Sequence, residues 1–182
     1  FTLPEALFGL AMSALIGALA YQLLGAFWLI GSDVATRGQL QQVASLAMEK
    51  IALDARSSAL PGVTVGDGSL ALVKLADLDP NGQQIWEQNL VLYLQSGDRL
   101  LRRQVFESGI SPGFPVQLTA SELTELTRVQ TGQCLSDCLE TLAAKLESTD
   151  ASERTLHVSF RLGRTLRSGR RSQLELAREF YL

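Results

Sequence analysis

The sequence predicts an α+β fold in which a long N-terminal helical stem packs against an antiparallel β-sheet head, and three observations carry that prediction. Residues 6–32 contain no Asp, Glu, Lys, Arg or His. Residues 33–58 place Leu40, Val43, Ala47, Ile51 and Ala55 at three- and four-residue spacing, the mark of a one-sided helix. Further on the period falls to two, most cleanly in TLHVSFRL. The organisation is therefore a stem, 1–58, whose first part (1–32) is fit for a membrane or filament core and whose second part (33–58) is amphipathic, followed by one α+β head, 59–182. A chain of 182 residues leaves the head enough sequence to bury a core of its own.

The first stretch, FTLPEALFGLAMSALIGALAYQLLGAFWLIGS, holds one charged side chain, Glu5. As a helix its uncharged run is roughly 40 Å long, against about 30 Å for a bilayer core. It makes a poor signal peptide, because a basic leading region and a small-residue cleavage site are both missing. The start at Phe1 rather than Met is expected to be a product of processing. Glu5 is the anomaly, since an ionised carboxylate in an apolar helix costs several kcal/mol unless paired. The nearest cation in sequence is the Phe1 α-amino group. It is offered either within the chain or by a neighbouring copy staggered along the helix axis, and the second arrangement would make the pair an assembly device. An ordinary single-pass anchor with Glu5 among lipid headgroups accounts for the apolar run but not for the uncharged start.

With Phe at 1 and Glu at 5 leading an apolar helix, the FTLPE start resembles a mature type IV pilin or type II secretion pseudopilin after cleavage by a prepilin peptidase. The resemblance implies N-methylation of Phe1 and pairing of Glu5 with the N-terminus of an adjacent subunit. Pro4 departs from the commoner aliphatic residue, yet proline in a first helical turn loses no intrahelical bond. The proline frequent near residue 22 in that family is replaced by Gln22, which leaves Gly17 and Gly25 as the weak points of the stem. The second half, DVATRGQLQQVASLAMEKIALDARSS, sets Gln41, Gln42, Ser45, Glu49 and Asp54 away from its apolar stripe. Its glutamines and the Asp54 and Arg56 pattern resemble the J-type pseudopilins and W-type minor pilins, the minor subunits of the family. Ser57, Ser58, Pro61 and Gly62 are expected to end the helix.

In the head, LALVKL (70–75) is a strand candidate and DLDPNG (77–82) a turn. IWEQNLVLYLQ and RLLRRQVF flank Ser96, Gly97 and Asp98 as a hairpin. SGISPGFP (108–115) is expected to be a loop. A helix follows from Thr119, with Ser121 as N-cap and Leu123, Leu126 and Val129 on one face, and a second short helix is expected over 136–146. TLHVSFRL points Leu156, Val158, Phe160 and Leu162 inward, and QLELAREFYL closes the sheet with Leu174, Leu176, Phe180 and Leu182.

Four groups of side chains invite a chemical reading. Cys134 and Cys138 are the only cysteines, and outside the cell membrane's inner face a short-loop disulfide is expected, with free thiols the alternative. Two sulfurs without a nearby His make an incomplete zinc set, so no metal is expected there. Asp77, Asp79 and Asn81 open like a calcium loop, but the bidentate position holds Gln88, and a Pro80-Asn81-Gly82 turn is the expected structure. Arg161, Arg164, Arg167, Arg170 and Arg171 surround the last hairpin, as a nucleic-acid phosphate contact, a partner surface or a solvated turn. His157 is expected to be a surface residue. No zinc-protease helix, nucleophile elbow, phosphate loop or dinucleotide fingerprint occurs, so no enzyme activity and no cofactor are expected.

The resemblance implies a structural subunit, pilin or pseudopilin, held in the inner membrane before assembly and polymerising through its stem into an extracellular pilus or periplasmic pseudopilus. The implied partners are copies of itself, other pilins, an inner-membrane assembly platform and the prepilin peptidase. A minor or tip subunit that binds DNA, a surface or a secretion substrate is the alternative.

Overall fold

In the computed structural model residues 2–106, 118–148 and 154–181 are described. The expected loop at 108–115 lies outside them, as do Phe1 and Leu182. One helix, α1 (Leu3–Arg56), opens the chain. It is followed by β1 (Ser58–Gly66), β2 (Ser69–Leu78), β3 (Gln84–Ser96) and β4 (Arg99–Phe106), then α2 (Ala120–Arg128), β5 (Gln133–Ser136), β6 (Leu139–Ser148), β7 (Arg154–Thr165) and β8 (Arg171–Tyr181). The described chain divides into two compact units, 1–39 with 165–172, and 40–164 with 173–182.

The larger unit is the head, and α1 from Leu40 onward belongs to it. Its strands form two sheets rather than one, a five-stranded sheet in the order β1-β2-β3-β4-β5 and a three-stranded sheet β6-β7-β8. The main core gathers Leu40, Ala44, Ala47, Ile51 and Ala55 of α1 with Leu70, Leu72, Val91 and Leu100 of the first sheet and Leu156, Val158, Phe160 and Leu162 of the second. On the opposite face of the first sheet Ala71, Val73, Leu90, Leu92, Leu94 and Leu101 pack with Leu123 of α2. Both faces of β2 and β3 are thus covered, which is why LALV (70–73) and LVLYL (90–94) are unbroken apolar runs instead of alternations.

Local chemistry sets the boundaries. α1 stops at Arg56 and the chain turns at once into β1, where Pro61 is tolerated because β1 is an edge strand. A register shift between Ser58 and Val63 brings Gly62 under Trp86, where a Cβ would lie 2.6 Å from the indole ring. The expected hairpin is present, Ser96 facing Arg99 across Gly97 at φ +60°, the tight turn that glycine in its first central position allows. α2 is capped by Thr119 instead of Ser121. The Thr119 hydroxyl accepts from the Glu122 amide while the Glu122 side chain accepts from the Thr119 amide, a reciprocal capping box.

The helix expected over 136–146 is replaced by β5, a turn and β6. Glu140 is the cause: it is an extra residue in β6, since Leu139 pairs with Leu162 and Thr141 with Arg161. This bulge puts Leu139 and Leu142 on the same buried side three residues apart, and with Leu146 the spacing copies a helix. Gln95 secures the bulge. Its amide donates to the Glu140 carbonyl at 3.0 Å and accepts from the Leu142 amide at 3.0 Å, joining β3 of one sheet to β6 of the other.

Asp54 is the second departure. Expected on the polar side of α1, it is 3% exposed. The Tyr93 hydroxyl (2.6 Å) and Arg102 Nε (2.8 Å) donate to its Oδ2, and Lys74 Nζ lies 3.0 Å from its Oδ1. β3, β4 and β2 thereby converge on one carboxylate of α1. Burial raises the carboxyl's pKa, but the hydrogen bonds from Arg102, Tyr93 and Lys74 outweigh it and hold the group below the usual carboxylate range. Burial, and then the bond to Asp54, push the Tyr93 phenol far up, so it stays a donor.

Two outcomes follow for the whole chain unfolded by urea in detergent. Asp54→Ala is expected to cost about 3–5 kcal/mol, because it strands buried cations. In the native chain this contribution is full above the unfolded Asp value of about 3.9 and is withdrawn as pH falls from there through the depressed folded value; Asp54→Asn should flatten that slope.

Candidate functional site

In the smaller unit every described residue from Thr2 to Gly31 is exposed. That includes every large apolar side chain from Leu3 through Phe8, Leu15, Ile16 and Leu24 to Phe27, Trp28 and Ile30. The helix is long and apolar enough to cross a membrane, and none of that window is buried. It runs unbroken through Gly17 and Gly25. At Gly9, Gly17 and Gly25 an added Cβ would meet nothing within 4 Å, so no contact within the chain requires those glycines. The Ser13 hydroxyl donates back to the Gly9 carbonyl at 2.8 Å, which leaves its small side chain folded against its own helix.

At the helix start the Glu5 carboxylate accepts from the Thr2 backbone amide at 2.9 Å and from the Thr2 hydroxyl at 3.1 Å. The Thr2 carbonyl accepts in turn from the Glu5 and Ala6 amides. Thr2-Leu3-Pro4-Glu5 is thus one side of a capping box, with Pro4 in the first turn where its missing N–H costs nothing. The Thr-x-x-Glu spacing was readable in the sequence and recurs as Thr119–Glu122. Glu5 therefore has polar partners in its own chain, but both are neutral. Phe1, the expected cationic partner, lies outside the described residues.

The remaining candidate residues are spread over the chain. Arg161 is tied to Glu175 (2.7 Å) on the exposed face of the head, and Arg164 is exposed in the same unit. Arg167, Arg170 and Arg171 belong to the smaller unit, on a turn closed by Leu166 and Arg170, whose amide and carbonyl lie 2.7 Å apart, with Gly169 at φ +80°. Cys134 and Cys138 are free thiols rather than the expected disulfide. Each contacts Ser136: Cys134 Sγ donates to its carbonyl (3.2 Å), and Cys138 Sγ lies 3.4 Å from its hydroxyl. Asp79 Oδ1 accepts from the amides of Asn81 and Gln83 and Asp77 Oδ1 from that of Leu78, so these carboxylates hold their own turn together. His157, half-buried, stands between Glu179 (3.3 Å) and Glu147 (3.5 Å) on the flanking strands.

The cap at Glu5 has a direct readout. Because such a cap is worth about 1 kcal/mol, Glu5→Ala in detergent should speed amide exchange over residues 2–6 by about fivefold and leave Ala14–Ala20 unchanged, as read by hydrogen–deuterium exchange. The chain matches no protein-family model, no curated protein and no solved structure.

Proposed function

We propose that the chain is a structural subunit of a type IV pilus-like filament, a pilin or pseudopilin, whose stem waits in a membrane and then joins a helical bundle of stems. The observation that carries this reading is an uncovered apolar helix with its single carboxylate at the very start. An apolar helix face is stable only against lipid or protein, and the head's own core takes in α1 only from Leu40. Gly9, Ser13 and Gly17 are spaced by four and exposed, and an added Cβ at either glycine would meet nothing within 4 Å, which suits close approach of stems. Glu5 would meet a cation from a neighbouring copy, the Phe1 amine, in place of water.

On this reading the protein is not an enzyme and needs no cofactor. Its partners on this reading are further copies or related subunits, a prepilin peptidase and an inner-membrane assembly platform. The mature chain would pass from the inner membrane into a pilus or periplasmic pseudopilus. Cys134 and Cys138, free thiols in the head, are expected to be alkylated in the native protein without prior reduction, as read by mass spectrometry.

Glu5→Ala and Glu5→Leu should fractionate with the membrane like the native chain while giving no filaments. Normal filament numbers with either substitution, counted by electron microscopy, would overturn the assembly role.

A further inference from the structure

We propose that the turn Thr165–Ser172 forms, with the stem residues just past the apolar run, a basic surface for the headgroups of anionic phospholipids; this rests on the reading of the stem as a membrane segment. The turn lies more than a hundred residues downstream of the stem in sequence, yet residues 165–172 and 1–39 form one compact unit. Along the helix of that unit, only Ser32, Asp33 and Thr36 are shielded among the described residues, all others being exposed. On the turn Leu166 is 4% exposed, while Arg167, Ser168, Gly169 and Arg170 are open to solvent. An apolar residue buried at the base of the turn and a shielded patch at Ser32, Asp33 and Thr36, both within one compact unit, are what a turn lying over residues 32–36 would produce.

Those residues mark the end of the uncharged run, so a helix with residues 6–32 in hydrocarbon holds 32–36 at headgroup level. The sequence that follows the run is poor in cations there. Between Ser32 and Gln39 it offers Arg37 against Asp33. The turn adds Arg167 and Arg170, for which no ion pair occurs among the described residues, and Arg171. Exposed arginines beside the point where an apolar helix leaves lipid match the phosphates of anionic headgroups in charge and depth. Duplex DNA carries the same phosphate chemistry, but a patch at headgroup level on a membrane-held chain meets lipid first, and the turn has no aromatic side chain to stack on bases.

The test is limited trypsin cleavage of the full chain reconstituted into vesicles of phosphatidylcholine alone or of phosphatidylcholine with phosphatidylglycerol. The rate of cutting after Arg167 and Arg170 is divided by that after Arg128, an exposed arginine of the head. Contacts of this kind are worth enough per arginine that low-salt cleavage should slow by about tenfold in the anionic vesicles, with the protection lost at high salt. Arg170→Gln should remove a large part of the protection still measured at Arg167. Equal normalised rates in the two vesicles would overturn the lipid proposal, and so would equal protection by duplex DNA added to the phosphatidylcholine vesicles. A chain that does not float with either vesicle would instead refute the membrane reading, which separates the two failures.

Discussion

The head depends on a buried carboxylate. Asp54 sits on the core side of α1 at a depth where an unpaired charge would cost several kcal/mol, and it is tolerated only because Lys74, Tyr93 and Arg102 all reach it. Those three come from adjacent strands, so the contact fixes both the height and the rotation of α1 over the five-stranded sheet. Turning the helix by one residue would swing Asp54 by about 100° and strand every partner. Ala44, Ala47 and Ala55, almost wholly buried, permit the close approach that lets a short aspartate span the gap. Apolar packing alone would tolerate several settings of such a smooth helix face; the charge cluster selects one.

Of the four carboxylates on α1, Asp54 and Glu5 form a contrast that bears on the proposed function. Asp54 is answered by two cations and a phenol of its own chain. Among the described residues Glu5 is answered by the amide and hydroxyl of Thr2, neutral donors that order the first turn without supplying a counter-charge. In water that is enough. In hydrocarbon or in a bundle of stems it is not, because neutral donors cannot offset the loss of hydration of a full charge. The head thus supplies cations to its buried carboxylate, whereas the described partners of Glu5 are neutral.

Much of this was legible in the sequence because the signals were local. The uncharged run, the one-sided helix after it, the Gly97-Asp98 hairpin and the alternation of β7 each rest on residues within one element. What failed rested on pairing between elements. β6 reads as a helix in the sequence because one extra residue, Glu140, turns a period of two into leucines at 139, 142 and 146. β1 was missed because Pro61 and Gly62 signal a break, and only the edge position of that strand makes them acceptable. Asp54 was placed on the wet side because its partners are 20, 39 and 48 residues away. At the candidate site, Glu5 stood out at once from composition. Its cap with Thr2 is equally readable from the Thr-x-x-Glu spacing, a purely local signal carried by neutral donors.

If the stem passes from lipid into a filament as proposed, its chemistry narrows what would drive that step. Lipid tails are as apolar as leucine, so moving Leu7, Leu15 or Ile16 from hydrocarbon to a neighbouring helix gains little hydrophobic free energy. Exposed apolar surface explains why the stem avoids water and is silent on which dry surroundings it prefers. The preference must come from features that lipid cannot satisfy. Small positions such as Gly9 and Gly17 add backbone packing that acyl chains cannot match, though a helix of any handedness of partner could use them. Glu5 is more selective, because a cation fixed at one height along the bundle satisfies it and no lipid tail does. On the proposed reading, a charge that is costly in the waiting state and paired in the assembled state would give polymerisation its direction and its axial register in the same residue.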